Sequence, residues 1–175
     1  MPTTPRNETD PDKVLDQACA FDAIAKLCET EGAEFPCSPN SRFAAGAANS
    51  AFTCELLLKA LLLHVGKGPQ KGHNLLKLFK ELEKADQELA SRIEAEVMIA
   101  IAPTEKTFSA ILGESSDAFK YWRYVYETQT AETSPQFIRV LRIALRKACR
   151  ETLAHGTERE ASQEQSLESL VPDER

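Results

Sequence analysis

The chain has 175 residues, 42% of them hydrophobic and 27% charged, with a formal net charge of -6. That is enough to close one ordinary hydrophobic core, so a single domain is the default, and the acidic balance argues against a protein that coats nucleic acid over its whole surface while leaving a local basic patch open. Five cysteines, Cys19, Cys28, Cys37, Cys54 and Cys149, are odd in number and form no CxxC pair, which indicates neither a disulfide framework nor a zinc knuckle and points to reduced, mostly buried thiols.

Helical patterns follow one another along the chain, with no convincing strand. Residues 1–10 read as a disordered N-terminus without an apolar signal core. Thr9 or Asp10 can cap a first helix with Pro11 at its first position, and Val14, Ala18, Phe21, Ala25 and Cys28 then recur every three or four residues. A loop with Gly32, Pro36 and Pro39 follows. The second helix starts near Ser41, is expected to bury Phe43, Ala47, Ala51, Cys54, Leu58, Leu61 and Val65, and stops at Gly66. Its small residues between Ala44 and Ala51 suit a close contact with another helix. A Gly/Pro/Lys loop ends in Gly72-His73, and a third helix begins around Asn74 with Leu75, Leu78, Phe79, Leu82 and Ala85 on one face. After a break at Asp86, Leu89, Ile93 and Val97 continue a helical pattern to Pro103. A shorter aromatic segment places Phe108, Ile111 and Leu112 before Gly113, then Phe119, Trp122 and Tyr126 on one face. The last helix has Ser134 as cap and Pro135 at its first position, turns Phe137, Leu141, Ala144 and Ala148 inward, and is expected to end near His155-Gly156. Residues 156–175 are polar and acidic and read as a disordered tail, leaving 11–155 as the folded domain. The expected fold class is therefore all-α, an antiparallel bundle of four to six helices. The longest apolar run, Leu56 to Leu63, is broken by Lys59 and too short to span a bilayer, so the expectation is a cytoplasmic protein with no membrane partner.

Few residues carry chemistry. On the last helix Arg139, Arg142, Arg146 and Arg150 are spaced by three, four and four positions and share one face, with Lys147 beside it. From Pro135 to His155 five basic residues face one acidic residue, a net +4. Guanidinium groups grip phosphate oxygens at two points, so this stripe is either a phosphate-binding surface or the solvated face of an amphipathic helix. The tail from Gly156 to Arg175 has six acidic and two basic residues, a net -4, and so can cover the stripe and compete with an anionic ligand. A second feature is Arg150-Glu-Thr-Leu-Ala-His155. A histidine that exchanges a proton near neutral pH, with an arginine that stabilises phosphate charge, is the equipment of metal-free RNA cleavage by a 2′-hydroxyl. On one continuous helix, however, five positions advance about 140°, so the two side chains do not share a face and converge only at a helix end or across a dimer. Glu55 and Lys59 suit an intrahelical ion pair, His73 a turn or helix cap, and His64 a partly buried hydrogen-bonded position. With three histidines scattered among helices, neither a metal site nor a cofactor is expected.

The chain resembles the HEPN family of helical nucleotide-binding domains. The likeness rests on Cys54-Glu55-Leu56-Leu57-Leu58-Lys59-Ala60-Leu61, similar to the family's E-x-x-L-K-A-L helix, on Gly72-His73-Asn74-Leu75, similar to its H-x-L turn, and on Arg123-Tyr124, where many members carry an R-Y pair. The resemblance implies a four- or five-helix bundle that forms a homodimer and works in toxin-antitoxin, phage-defence or RNA-processing systems. It also implies a ligand surface at Glu55, Lys59, His73, Arg123 and Tyr124, beside the stripe of Arg139, Arg142 and Arg146. Ribonucleolytic members carry R-x4-6-H. Arg150 and His155 fit that spacing formally, but if Arg123-Tyr124 occupies the usual arginine position, no histidine follows at the right distance, and the match sits one helix late. A module that binds a nucleotide, RNA or a protein partner is therefore favoured over the alternative, a metal-independent endoribonuclease using Arg150 and His155.

Overall fold

The computed structural model describes residues 10–30, 35–124 and 134–168, and from residue 154 onward only the backbone of the last helix. Among these residues there are seven helices and no strand: α1 (Pro11–Glu29), α2 (Pro39–His64), α3 (Leu75–Ala85), α4 (Gln87–Ala100), α5 (Phe108–Glu114), α6 (Ala118–Arg123) and α7 (Pro135–Glu168). The all-α bundle expected from the periodicity is present, with the short aromatic segment resolved into α5 and α6.

Polar side chains start the helices where the sequence places them. Asp10 accepts from the Asp12 amide at 2.9 Å, Asn74 from Lys77 at 2.9 Å, and Ser134 from Phe137 at 3.3 Å. Asp86 ends α3 and caps α4 through the Leu89 amide at 2.9 Å. Each such cap satisfies an amide that the first turn would leave unpaired and contributes about 1 kcal/mol. Gly66 and Gly72 take φ of 79° and 95°, the left-handed region that side chains with a Cβ avoid, so the chain leaves α2 and enters α3 through turns only glycine makes cheaply.

Helix α2 is the axis of the bundle and touches α1, α3, α6 and α7. Leu57, Leu58, Leu61 and Leu62 are all buried, because a helix with partners on most sides needs apolar residues nearly all round. Its length and composition would suffice to cross a membrane, but 72% of its most apolar window is buried inside the bundle, as expected of a core helix. The small residues do bring two helices close. Ala18, Ala25 and Cys28 of α1 meet Gly46, Ala47 and Ala51 of α2, and a Cβ built on Gly46 would stand 3.0 Å from that of Cys28. One continuous apolar cluster runs from Ala18 through α2, α3, α4 and α5 to Leu153.

Three details correct the sequence expectation. Phe43 is 55% exposed rather than buried, because it borders an open cavity of about 670 Å³; its ring meets that of Trp122 at 5.6 Å between centres. His64 is exposed rather than partly buried. Helix α7 does not stop at His155-Gly156 but continues to Glu168. Gly156 costs about 1 kcal/mol inside a helix, and the glutamate, arginine, alanine and glutamine residues around it are good helix formers that offset the loss. A straight continuation also cannot fold back on its own arginine face, so residues 156–168 do not cover Arg139, Arg142 and Arg146 of the same chain. Residues 1–9 and 169–175, Tyr126 and the His155 side chain lie outside what is described.

Candidate functional site

The arginine face of α7 forms an internal joint. Arg142 is 1% exposed. It donates from Nη1 to Ser50 Oγ at 2.7 Å and from Nη2 to Glu29 Oε2 at 2.9 Å, while its Nε lies 3.2 Å from Asp22 Oδ1. Arg146 also donates to Asp22, and Arg139 Nε sits 3.2 Å from Glu29. Asp22, itself 2% exposed, takes Lys26 at 2.9 Å as well. The spacing by three and four does align these arginines, as expected. What they face is a pair of carboxylates seven positions apart on α1, so Arg142 is neither a phosphate ligand nor part of a solvated surface. Arg139 remains half-exposed at the rim. Burying several charges together is tolerated only where each finds partners, which these do.

Arg150 is exposed near the end of the bundle. Because α7 is unbroken through both positions, residues 150 and 155 lie about 140° apart around the helix axis, and no helix end falls between them.

The two short motifs, by contrast, converge. Glu55 lies on α2 with 1% of its surface exposed, and Lys59, one turn on, donates to its Oε1 at 2.8 Å. His73, in the turn before α3, places Nδ1 2.9 Å and 3.0 Å from the two carboxylate oxygens. An ionised carboxylate only accepts hydrogen bonds, so Nδ1 carries the proton and Nε2 is the ring nitrogen left for other contacts. The left-handed Gly72 and the Asn74 cap hold the turn, and Leu75 N donates to Ser116 O at 3.0 Å, which ties the turn to the start of α6.

Aromatic rings continue the site outward. The His73 ring is 5.9 Å from Phe119, which stacks on Phe52 at 4.8 Å. Arg123, exposed, holds its guanidinium 6.0 Å from the Phe119 ring centre and 5.2 Å from that of Tyr124, which is 40% exposed. Trp122 is buried. Glu55, Lys59, His73, Arg123 and Tyr124 are thus linked to one another through the Glu55 carboxylate and the Phe119 ring.

Sequence reasoning missed what borders this site. His73 lies on the rim of an open groove of about 720 Å³ lined by Lys71, Lys77, Lys80, Lys84 and Lys120, against Glu81 and Asp117. Lys84 pairs with Glu81 at 2.7 Å and Lys120 with Asp117 at 3.7 Å, whereas Lys71, Lys77 and Lys80 form no ion pair among the described residues. The Glu81 carboxyl is held below its usual range by the hydrogen bond and charge of Lys84, with Lys67 adding to the effect. In a chain of net charge -6, this groove keeps an excess of three positive charges. The signal was present, because Lys77, Lys80 and Lys84 recur at helical spacing opposite Leu75, Leu78 and Leu82. No cluster of three or more metal-ligating side chains occurs among the described residues.

These features define an all-α bundle whose surface motifs meet at a carboxylate-anchored histidine. The model of the HEPN domain matches residues 37–147, well over half of the chain, and the protein belongs to the HEPN domain family. No curated protein and no solved structure matches the chain. Helix α1 precedes the matched stretch, and Arg150 and His155 follow it.

Proposed function

We propose that this HEPN protein is a noncatalytic binding module that recognises RNA at the surface formed by His73, Arg123 and Tyr124. The observation that carries the reading is the exposed guanidinium of Arg123, set against Phe119 and Tyr124 beside a histidine that Glu55 fixes in place. Stacked rings with a cation suit the π-face of a base, which acidic peptides lack, and His73 Nε2 offers a hydrogen bond at the same place. Glu55 and Lys59 act as positioning residues, since a carboxylate this buried orients the ring rather than meeting a ligand. By analogy with the family we further propose a homodimer and a setting in RNA processing, toxin-antitoxin or phage-defence systems. Catalysis by Arg150 and His155 would need a second copy to supply one of the two, since their positions lie about 140° apart around one continuous helix.

The test pairs two readouts on labelled single-stranded RNAs in EDTA, fluorescence anisotropy for binding and gel analysis for cleavage. Arg123→Ala and His73→Ala are expected each to weaken binding by roughly tenfold, in the range of one lost stacking or charge-assisted contact. Intact RNA is expected with every variant. Cleavage that disappears in His155→Ala would overturn the noncatalytic reading, and binding indifferent to both Arg123→Ala and His73→Ala would overturn the site.

A further inference from the structure

The lysine groove has a shape and a direction that the base-stacking end alone does not account for. Lys77, Lys80 and Lys84 stand on successive turns of α3, and the first and last of them are about 10 Å apart along the axis at ~1.5 Å per residue. Lys71 sits before Gly72, on the His73 side of the groove, and Lys120 follows Phe119 directly in α6. The groove thus begins where the aromatic surface ends. All five lysines are exposed, and Lys71, Lys77 and Lys80 lack an ion pair among the described residues.

We infer that the lysine row of α3 is a track for the phosphates of a single-stranded oligonucleotide whose terminal or unpaired base stacks at Phe119, Arg123 and Tyr124, so that the ligand is a strand several nucleotides long rather than a mononucleotide. The inference rests on the RNA-binding reading above and extends it. Three features support it. Lysines are compact charges on flexible stems, suited to a backbone whose phosphates occupy varied positions, whereas a fixed mononucleotide phosphate is usually gripped by a bidentate arginine or a closed loop of amides. Lys120 follows Phe119 directly, whereas the row from Lys77 to Lys84 extends about 10 Å along α3, a length that several phosphates of a strand span and one phosphate does not. The groove is also open, and α3 packs against α2, α4 and α5, so among the described residues its lysine side is bordered only by the start of α6, through Asp117 and Lys120. Continuous positive charge beside a stacking surface is the arrangement by which proteins hold single strands without reading sequence.

The experiment compares uridine monophosphate with oligouridylates of four and eight nucleotides on the full chain, by isothermal titration from 50 to 200 mM salt. Neutralising three phosphates at Lys71, Lys77 and Lys80 predicts a log-log salt slope near -2 for the octamer, or about 15-fold weaker binding at the higher salt. The octamer is expected to bind at least tenfold more tightly than the monophosphate. In the triple variant Lys71→Ala, Lys77→Ala, Lys80→Ala, octamer affinity should fall to that of the monophosphate and its salt slope should flatten. These lysines are exposed, so unchanged thermal unfolding of the variant excludes loss of the fold. Equal affinity for monophosphate and octamer, or a salt slope unchanged in the triple variant, overturns the track and leaves the stacking end standing. Length-dependent binding lost with the lysines but indifferent to Arg123→Ala overturns the stacking end instead. Displacement of the octamer by polyglutamate at equal charge concentration would turn the groove into a surface for an acidic protein and refute the assignment, as would binding of none of the three nucleotides.

Discussion

Arg142 offers the sharpest test of how this bundle is held together. Replacing it by alanine removes a guanidinium that is 1% exposed and leaves Asp22, 2% exposed, beside Lys26 and Arg146 only, while Glu29 keeps Arg139 and Ser50 loses its donor. Breaking a buried ion pair by deleting one partner costs about 3–5 kcal/mol because a buried charge is left uncompensated. Here Asp22 retains two cations, one of them Lys26 with half its side chain in water, so the lower end, about 3 kcal/mol, applies. For a chain of this size that corresponds to a drop of roughly 6–12 °C in Tm, read by circular dichroism at 222 nm. The exposed Arg150→Ala serves as control and should stay within about 0.5 kcal/mol. The double variant Asp22→Leu, Arg142→Met should recover most of the loss, since well-packed apolar replacements of a buried pair are often neutral or stabilising. Arg146 would then lose a partner, but it is 31% exposed and can turn to water. If Arg142→Ala unfolds within about 0.5 kcal/mol of the parent, the joint between α1 and α7 does not exist as described, and the arginine stripe would again be available for phosphate.

Three further outcomes follow from the same geometry. Gly46→Ala gains about 1 kcal/mol of helix propensity but drives a Cβ to 3.0 Å from the Cβ of Cys28, so a net loss of about 1 kcal/mol is expected in urea unfolding, whereas Gly68→Ala, with nothing within 4 Å, should cost nothing measurable. Burial pushes the Cys54 and Cys149 thiols up to about 12 from 9.0, so iodoacetamide followed by peptide mass spectrometry should label the exposed Cys37 in the folded protein long before either. Finally, His73→Ala should leave Glu55 with Lys59 alone and weaken RNA binding, while Lys59→Met, which removes the buried carboxylate's nearer cation, should lower stability by about 1–3 kcal/mol, read by thermal unfolding.

The raised thiols also fix the sign of an alkaline effect. A folded-state pKa above the unfolded one means that the unfolded chain loses its protons first as pH rises, so the stabilising contribution is complete below about 8.5 and is lost between there and about 12. Each of the two buried thiols should therefore erode stability by about 1 kcal/mol per pH unit above roughly 9. Cys54→Ala, Cys149→Ala should flatten that slope while lowering stability at pH 7, and a slope unchanged in the double variant would place the alkaline loss elsewhere.

The periodicity of the sequence was sufficient for most helices and four of their caps because those depend on local chemistry: Asp10, Asn74, Asp86 and Ser134 cap where side-chain oxygens precede apolar stripes, whereas Ser38 rather than a residue near Ser41 starts α2. It was sufficient, too, for the Glu55–Lys59 pair one turn apart, but not for the contact of His73 with Glu55, which a turn or cap reading of His73 did not contain. The destination of the arginines was not legible. Helical spacing says which residues share a face and is silent on what faces them, and the complementary Asp22 and Glu29 sit on a helix more than a hundred residues away. A hint existed in the placing of Asp22 beside Phe21 and Ala25, since a charge in an apolar stripe needs a buried partner.

The two basic features also show why the count of charges misleads. The stretch from Pro135 to His155 carries the larger local excess, yet Arg142 and Arg146 are committed to carboxylates, and their positive charge is cancelled before a ligand meets it. The lysines of α3 are fewer in any one window and lie among acidic residues, but the helix turns Lys77, Lys80 and Lys84 to one side and its leucines to the other, and only Glu81 and Asp117 share their groove. A phosphate responds to unpaired charge at the surface, and partners within the fold subtract from it. On that ground, neutralising Lys71, Lys77 and Lys80 should weaken octamer binding far more than Arg139→Ala, although Arg139 lies in the more basic segment. A larger loss in Arg139→Ala would mean that the half-exposed rim of the α7 joint, and not α3, meets the strand.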